Sequence, residues 1–113
     1  MHELSLALEV IDMAQRETTK NSLTSVLEIL IEVGVLSGVE ADAFEMAMKM
    51  ASKDSILEGA SINIVRIPGK GRCVDCRQDF PMENPLATCP ECHGLPDEII
   101  RGREFRVVSL VAE

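Results

Sequence analysis

The stretch from Cys73 to Cys92 constrains this chain more than any other. It reads Cys73-Val74-Asp75-Cys76, twelve further residues, then Cys89-Pro90-Glu91-Cys92. Two residues between the cysteines of each pair let a tight turn aim both sulfurs at one point. Two such pairs at this separation match a tetrahedral four-thiolate zinc site. Gly71 and Gly94 flank the pairs and are expected to let backbone approach the metal. All four cysteines of the protein are used. The alternative is two disulfides. No signal peptide opens the chain, however, and a reducing cytosol keeps thiols free. Four thiolates close the coordination shell, so such a zinc holds structure and does no chemistry.

The remainder must supply its own core. Hydrophobic residues make up 46% of the 113, but aromatics only 3%, with no Trp or Tyr, so the core is expected to be aliphatic and filled by Met. No apolar run approaches the roughly 18 residues of a membrane span. The formal charge of -8 is unevenly placed. Residues 1–60 carry eleven acidic and four basic side chains, residues 61–113 eight and seven. That balance suits cations or a basic protein partner and ill suits nucleic acid, which rewards clustered Lys and Arg.

Taken in order, Leu4, Ala7, Leu8, Ile11 and Ala14 recur at three- and four-residue steps and predict a helix to about Arg16, followed by a polar loop over Thr18–Ser22. From Ser25 to Gly34, Leu27, Ile29, Ile31 and Val33 alternate with Glu28, Leu30 and Glu32, a half-buried strand. Gly34 and Gly38 bracket a turn. Ser37 then stands three residues before Glu40, the signature of a capping box for a second helix. That helix carries Phe44, Ala47, Met48 and Ala51 on one side and ends near Ser52. Ala60–Ile67 reads as a second strand with Ile62 and Ile64 inward, so strand, helix and strand form a crossover unit. Pro68-Gly69 opens the cysteine segment, too short and too polar to fold without a staple. Glu104–Val111 returns as a third strand, whose neighbouring Arg101, Arg103 and Arg106 could face Glu28 or Glu32. The expected architecture is a mixed α/β (α+β) body, two helices on a three-stranded sheet, with an inserted zinc ribbon. Its parts are residues 1–68, the ribbon 69–97, and the returning strand 98–113.

The N-terminus offers a second metal site. A free α-amine, the amide nitrogen of residue 2 and the His2 imidazole Nδ1 close two fused chelate rings on one ion. The Glu3 amide or carboxylate completes a square. Nitrogen-rich, near-planar ligation selects Ni(II) or Cu(II) over Zn(II), and binding strengthens with pH because donors must lose protons. Against this stands chance: every chain starts somewhere, and some start Met-His.

Met1-His2-Glu3, the run Val33-Gly34-Val35-Leu36-Ser37-Gly38-Val39-Glu40, and the cysteine pairs ending in Cys89-Pro90-Glu91-Cys92-His93-Gly94 together resemble the HypA/HybF family of hydrogenase maturation nickel metallochaperones, over the whole chain. The resemblance implies that Met1, His2 and Glu3 bind Ni(II) as transient cargo and that Cys73, Cys76, Cys89 and Cys92 hold a structural Zn(II). It also implies a non-enzymatic, cytoplasmic protein that helps insert nickel into the large-subunit precursor of [NiFe]-hydrogenase. A GTPase of the same pathway is the implied partner, and the chain is expected to be a monomer or weak homodimer with no nucleic-acid or membrane partner.

Other readings compete. His93 either exchanges onto zinc or approaches nickel, or is an exposed knuckle residue, and the second is preferred. Met13, Met46, Met48, Met50 and Met82 are read as core filler rather than thioether ligands. Glu40 is explained by capping, Glu28 and Glu32 by a solvated sheet face. A rival from another class is a zinc-ribbon interaction or transcription-associated module without a nickel function, supported by Arg66, Lys70, Arg72 and Arg77. The missing stacking aromatics weigh against it. A redox enzyme would need one Cys-x-x-Cys pair free and reactive.

Overall fold

The computed structural model describes residues 2–113. Helix α1 spans Glu3–Lys20 and packs its Ala7, Val10, Ala14 and Thr18 face inward. The sequence reading ended it near Arg16 and placed Leu4 and Leu8 on the buried stripe. Both leucines are instead more than half exposed. The polar continuation stays helical because buried Thr18 returns its hydroxyl to the Ala14 carbonyl at 3.0 Å, which removes the cost of burying it. Asn21 closes the end with its side-chain amide on the Glu17 carbonyl.

Strand β1 (Val26–Gly34) is the centre of a sheet ordered β2-β1-β6. It runs parallel to β2 (Ser61–Ile67) and antiparallel to β6 (Phe105–Ala112). Helix α2 (Ala41–Ala51) makes the crossover between β1 and β2. Ile29, Ile31 and Val33 point inward as alternation requires. Leu27 does not: the pairing with β6 slips between Val26 and Glu28, so Val26 is buried and Leu27 is exposed, the face swap that a bulge produces. Ile62 and Ile64 pack against the core, as do Phe105, Val107 and Leu110. Phe44 on α2 meets Phe105 on β6 edge-to-face, with ring centroids 5.1 Å apart. Two of the protein's three phenylalanines thus clasp helix to sheet. Met48 is core, but Met46 and Met50 are exposed on the outer side of α2, so the core-filler reading fails for that pair.

The capping box is not formed. Helix α2 begins one residue after Glu40, which is itself the N-cap and accepts from the backbone N–H of Asp42 and Ala43. Ser37 accepts from Val39 within the preceding turn. A carboxylate can serve where a hydroxyl was expected, because it reaches two orphan N–H groups and complements the helix dipole.

Between β2 and β6 the chain builds a second sheet, ordered β4-β3-β5, from β3 (Gly69–Cys73), β4 (Asp79–Met82) and β5 (Pro96–Arg101). The ribbon therefore continues past residue 97 to Arg101. Arg101 belongs to the ribbon sheet and Arg103 to the following turn, so neither faces the body sheet. Arg106 does, pairing with Glu32 at 2.6 Å. At the junction Leu36 donates its N–H to Gly102 and packs its side chain into the ribbon core. Gly34 passes so close to this return that a Cβ on it would sit 2.0 Å from the Gly102 carbonyl oxygen. The result is elongated, 54 × 24 × 17 Å, with a radius of gyration of 17.2 Å against about 13 Å for one compact body of this length.

Candidate metal centres

The ribbon brings its four sulfurs together. Cys73 lies at the end of β3, and its carbonyl accepts from Arg77 N–H at 3.1 Å, closing the first knuckle. The second repeats the pattern: the Cys89 carbonyl accepts from His93 N–H at 2.8 Å. Arg77 and His93, each just after its pair's second cysteine, both take φ of 62°. That left-handed step turns the chain back under the sulfurs. His93 is thus an exposed knuckle residue with a backbone role.

The four Sγ atoms lie within 4.8 Å of one another. Cys73 and Cys92 are 3.3 Å apart, Cys76 and Cys89 3.7 Å. A tetrahedral zinc with bonds of about 2.3 Å requires sulfur separations of about 3.8 Å, so the donor set fits this metal. No disulfide links them. The Cys76 backbone N–H chiefly holds the Cys73 thiol down to about 7, while the hydrogen bond to the Cys73 sulfur pushes Cys92 up to about 12. A divalent cation held by Cys73, Cys76, Cys89 and Cys92 would displace the thiol protons and satisfy all four sulfurs at once. Space is made by Gly94, where a Cβ would stand 2.8 Å from the Cys73 sulfur and 2.7 Å from an Asp75 carboxylate oxygen. Gly71 has another duty from the one expected, since a Cβ there would strike the Met82 sulfur at 2.5 Å. It makes room for the ribbon core, not for metal.

At the other end of the molecule's sequence, Met1 lies outside the described residues, so its part in a site has no geometry here. His2 is exposed, directly before α1. The Glu3 carboxylate accepts from the Glu40 backbone N–H at 3.0 Å, and that bond chiefly holds its carboxyl below the ordinary range. Glu3 thereby caps, from a different helix, the very residue that caps α2. Local sequence carries no sign of this contact between positions 37 residues apart.

The cations that favoured a nucleic-acid reading are mostly spent. Arg66 pairs with Asp42, Arg72 with Asp79 and Glu98, Arg77 with Asp97. Among the described residues no helix is long and apolar enough to cross a membrane.

Comparison with known proteins adds an independent line. A family model described as hydrogenase/urease nickel incorporation, metallochaperone, HypA matches residues 1–112. The hydrogenase maturation factor HypA of Geobacter metallireducens is 34% identical over 113 residues, covering 100% of both chains. That of Parabacteroides distasonis is 39% identical over 111 residues, covering 98% of this chain and 96% of the relative. The solution structure of the Ni metallochaperone HypA from Helicobacter pylori superposes with a TM-score of 0.66 at 24% identity, over 99% of this chain and 97% of that one. A further solution structure of HypA protein gives 0.65 at 25%, over 100% and 97%.

Proposed function

Given that this chain belongs to the HypA family of nickel-incorporation metallochaperones for hydrogenase and urease, we propose that it binds Ni(II) at Met1-His2-Glu3 and passes it to the [NiFe]-hydrogenase large-subunit precursor. It acts in the cytoplasm, as a carrier rather than an enzyme, alongside a nickel-insertion GTPase, and is a monomer or weak homodimer. Zinc occupies Cys73, Cys76, Cys89 and Cys92 and holds the ribbon; nickel is cargo.

One observation supports the nickel reading above the rest: His2 is exposed while its neighbour Glu3 is fixed by the Glu40 N–H. A chelate built on consecutive residues gains most when one of them is already immobile, because less chain entropy is lost on binding. The imidazole remains free to swing onto an ion and off again, which suits cargo that must leave.

The test is nickel titration of zinc-loaded protein in three forms: wild type, His2→Ala, and a form extended before Met1. Removing the imidazole, or turning the α-amine into a peptide nitrogen, breaks the fused chelate. Both variants are expected to lose tight nickel binding, with zinc content and thermal stability near wild type. Equal nickel binding by all three would place the site elsewhere and overturn the proposal.

A further inference from the structure

The outer face of the ribbon sheet carries two neighbouring rows of side chains with opposite fates. In one, Arg72 on β3 lies between its cross-strand partners Asp79 on β4 and Glu98 on β5. It contacts both carboxylates, at 3.0 and 3.7 Å. In the next row, two residues along β3, Lys70 lies opposite Pro81 and, across a register irregularity that leaves Ile100 extra in β5, Arg101. Here two cations are cross-strand partners and, among the described residues, neither has an ion-pair partner. This protein has a charge of -8 and thus many carboxylates to spare, yet none is placed on this row.

The row also borders a concavity of about 290 Å³ whose wall is Pro68, Lys70, Phe80, Pro81 and Arg101, with Asp79 at one side. Asp79 is already engaged by Arg72 at 3.0 Å. Two unsatisfied cations over a proline-lined floor suit a carboxylate carried on a chain with apolar neighbours. The net charge of -8 repels polyanions of every kind at long range, so any attraction is local to these two cations and limited to a segment with one or two carboxylates. We propose that Lys70 and Arg101 form a clamp on the ribbon for an acidic segment of a partner protein. The clamp is separate from the N-terminal residues assigned to nickel and does not depend on that assignment.

The test uses zinc-loaded full-length protein and a fluorescein-labelled peptide with two glutamates set among leucines and serines, read by anisotropy at low and at physiological ionic strength. Wild type is expected to bind it, and Lys70→Glu and Arg101→Glu each to weaken binding about tenfold or more, the scale of one charge-assisted contact. Lys53→Glu, the same charge change on the exposed body loop, is expected to leave affinity within about twofold. Should either glutamate variant lose zinc, Lys70→Gln and Arg101→Gln replace them. The clamp is overturned if wild type does not bind, if Lys53→Glu weakens binding as much, or if inorganic phosphate displaces the peptide as well as unlabelled peptide does. Nickel titration of the same variants is expected to match wild type.

Discussion

At the scale of single residues, chemistry that depends on near neighbours is written openly. Cys-x-x-Cys twice and Met-His-Glu at the start are spacing statements, and the cysteine half reappears as four sulfurs within 4.8 Å. Gly94 was legible too, because a knuckle turning beneath a metal leaves no room for a side chain. Its substitution gives a sharp test. Gly94→Ala forces a methyl against the Cys73 sulfur and the Asp75 carboxylate, so either the knuckle opens or a sulfur leaves tetrahedral position. Disturbing a ligand's surroundings typically costs ten- to a hundredfold in affinity, and about tenfold weaker zinc is expected here in competition with a chromogenic chelator. Gly71→Ala serves as contrast: it should destabilise the ribbon through Met82 while leaving the sulfurs' geometry alone. What spacing could not show is Glu3 on the Glu40 N–H. Glu40 reads from sequence as the far member of a box capped by Ser37; it is itself the N-cap, through the N–H groups of Asp42 and Ala43, and only its partner Glu3 comes from the tertiary fold.

At the scale of elements, order and type were legible and edges were not. Alternation along β1 and the helical stripe of α2 survive because burial on one face imposes them. The misreadings come from pairing and packing that sequence does not display. Thr18 is satisfied by its own helix, so α1 runs on. A slip in pairing exchanges Val26 for Leu27. Leu4 and Leu8 fit the helical period, but the small residues Ala7 and Ala14 are what let α1 lie close to its neighbours. The clasp of Phe44 on Phe105 decides how firmly α2 is held. Phe44 is fully buried, so Phe44→Ala removes a large apolar side chain, leaves a cavity and abolishes the ring contact. A loss of about 3–5 kcal/mol is expected in urea unfolding followed by the helical signal. Zinc content should not change, because the ring lies in the body core and no ligand does.

At the scale of the whole molecule, body and ribbon are stabilised by different means. The body has eleven buried residues in one cluster, the ribbon only Cys73, Phe80, Met82 and Cys89, with Leu36, Ala87 and Ile99 at its margin. Two of those four buried residues are cysteines of the proposed zinc site, so on that proposal removing the ion would remove the reason for half the ribbon core to be buried. Structural zinc supplies on the order of 10–16 kcal/mol in small ribbons and fingers, far above what two remaining apolar side chains contribute. Stripping the metal with a strong chelator, or replacing Cys73 by Ala, is therefore expected to unfold β3, β4 and β5 and to leave the body standing. Both helices lie in the body, so the far-ultraviolet helical signal should stay near wild type. Amide exchange should lose protection over residues 69–101 and keep it in β1. Protons compete with zinc for the thiolates, so the same loss should appear on acidification, once metal is released. Collapse of helical signal together with the ribbon would mean that the junction at Leu36, Gly34 and Gly102 couples the two parts into one cooperative unit. Protection surviving in β3 without zinc would mean that the hydrogen bonds of the ribbon sheet suffice by themselves.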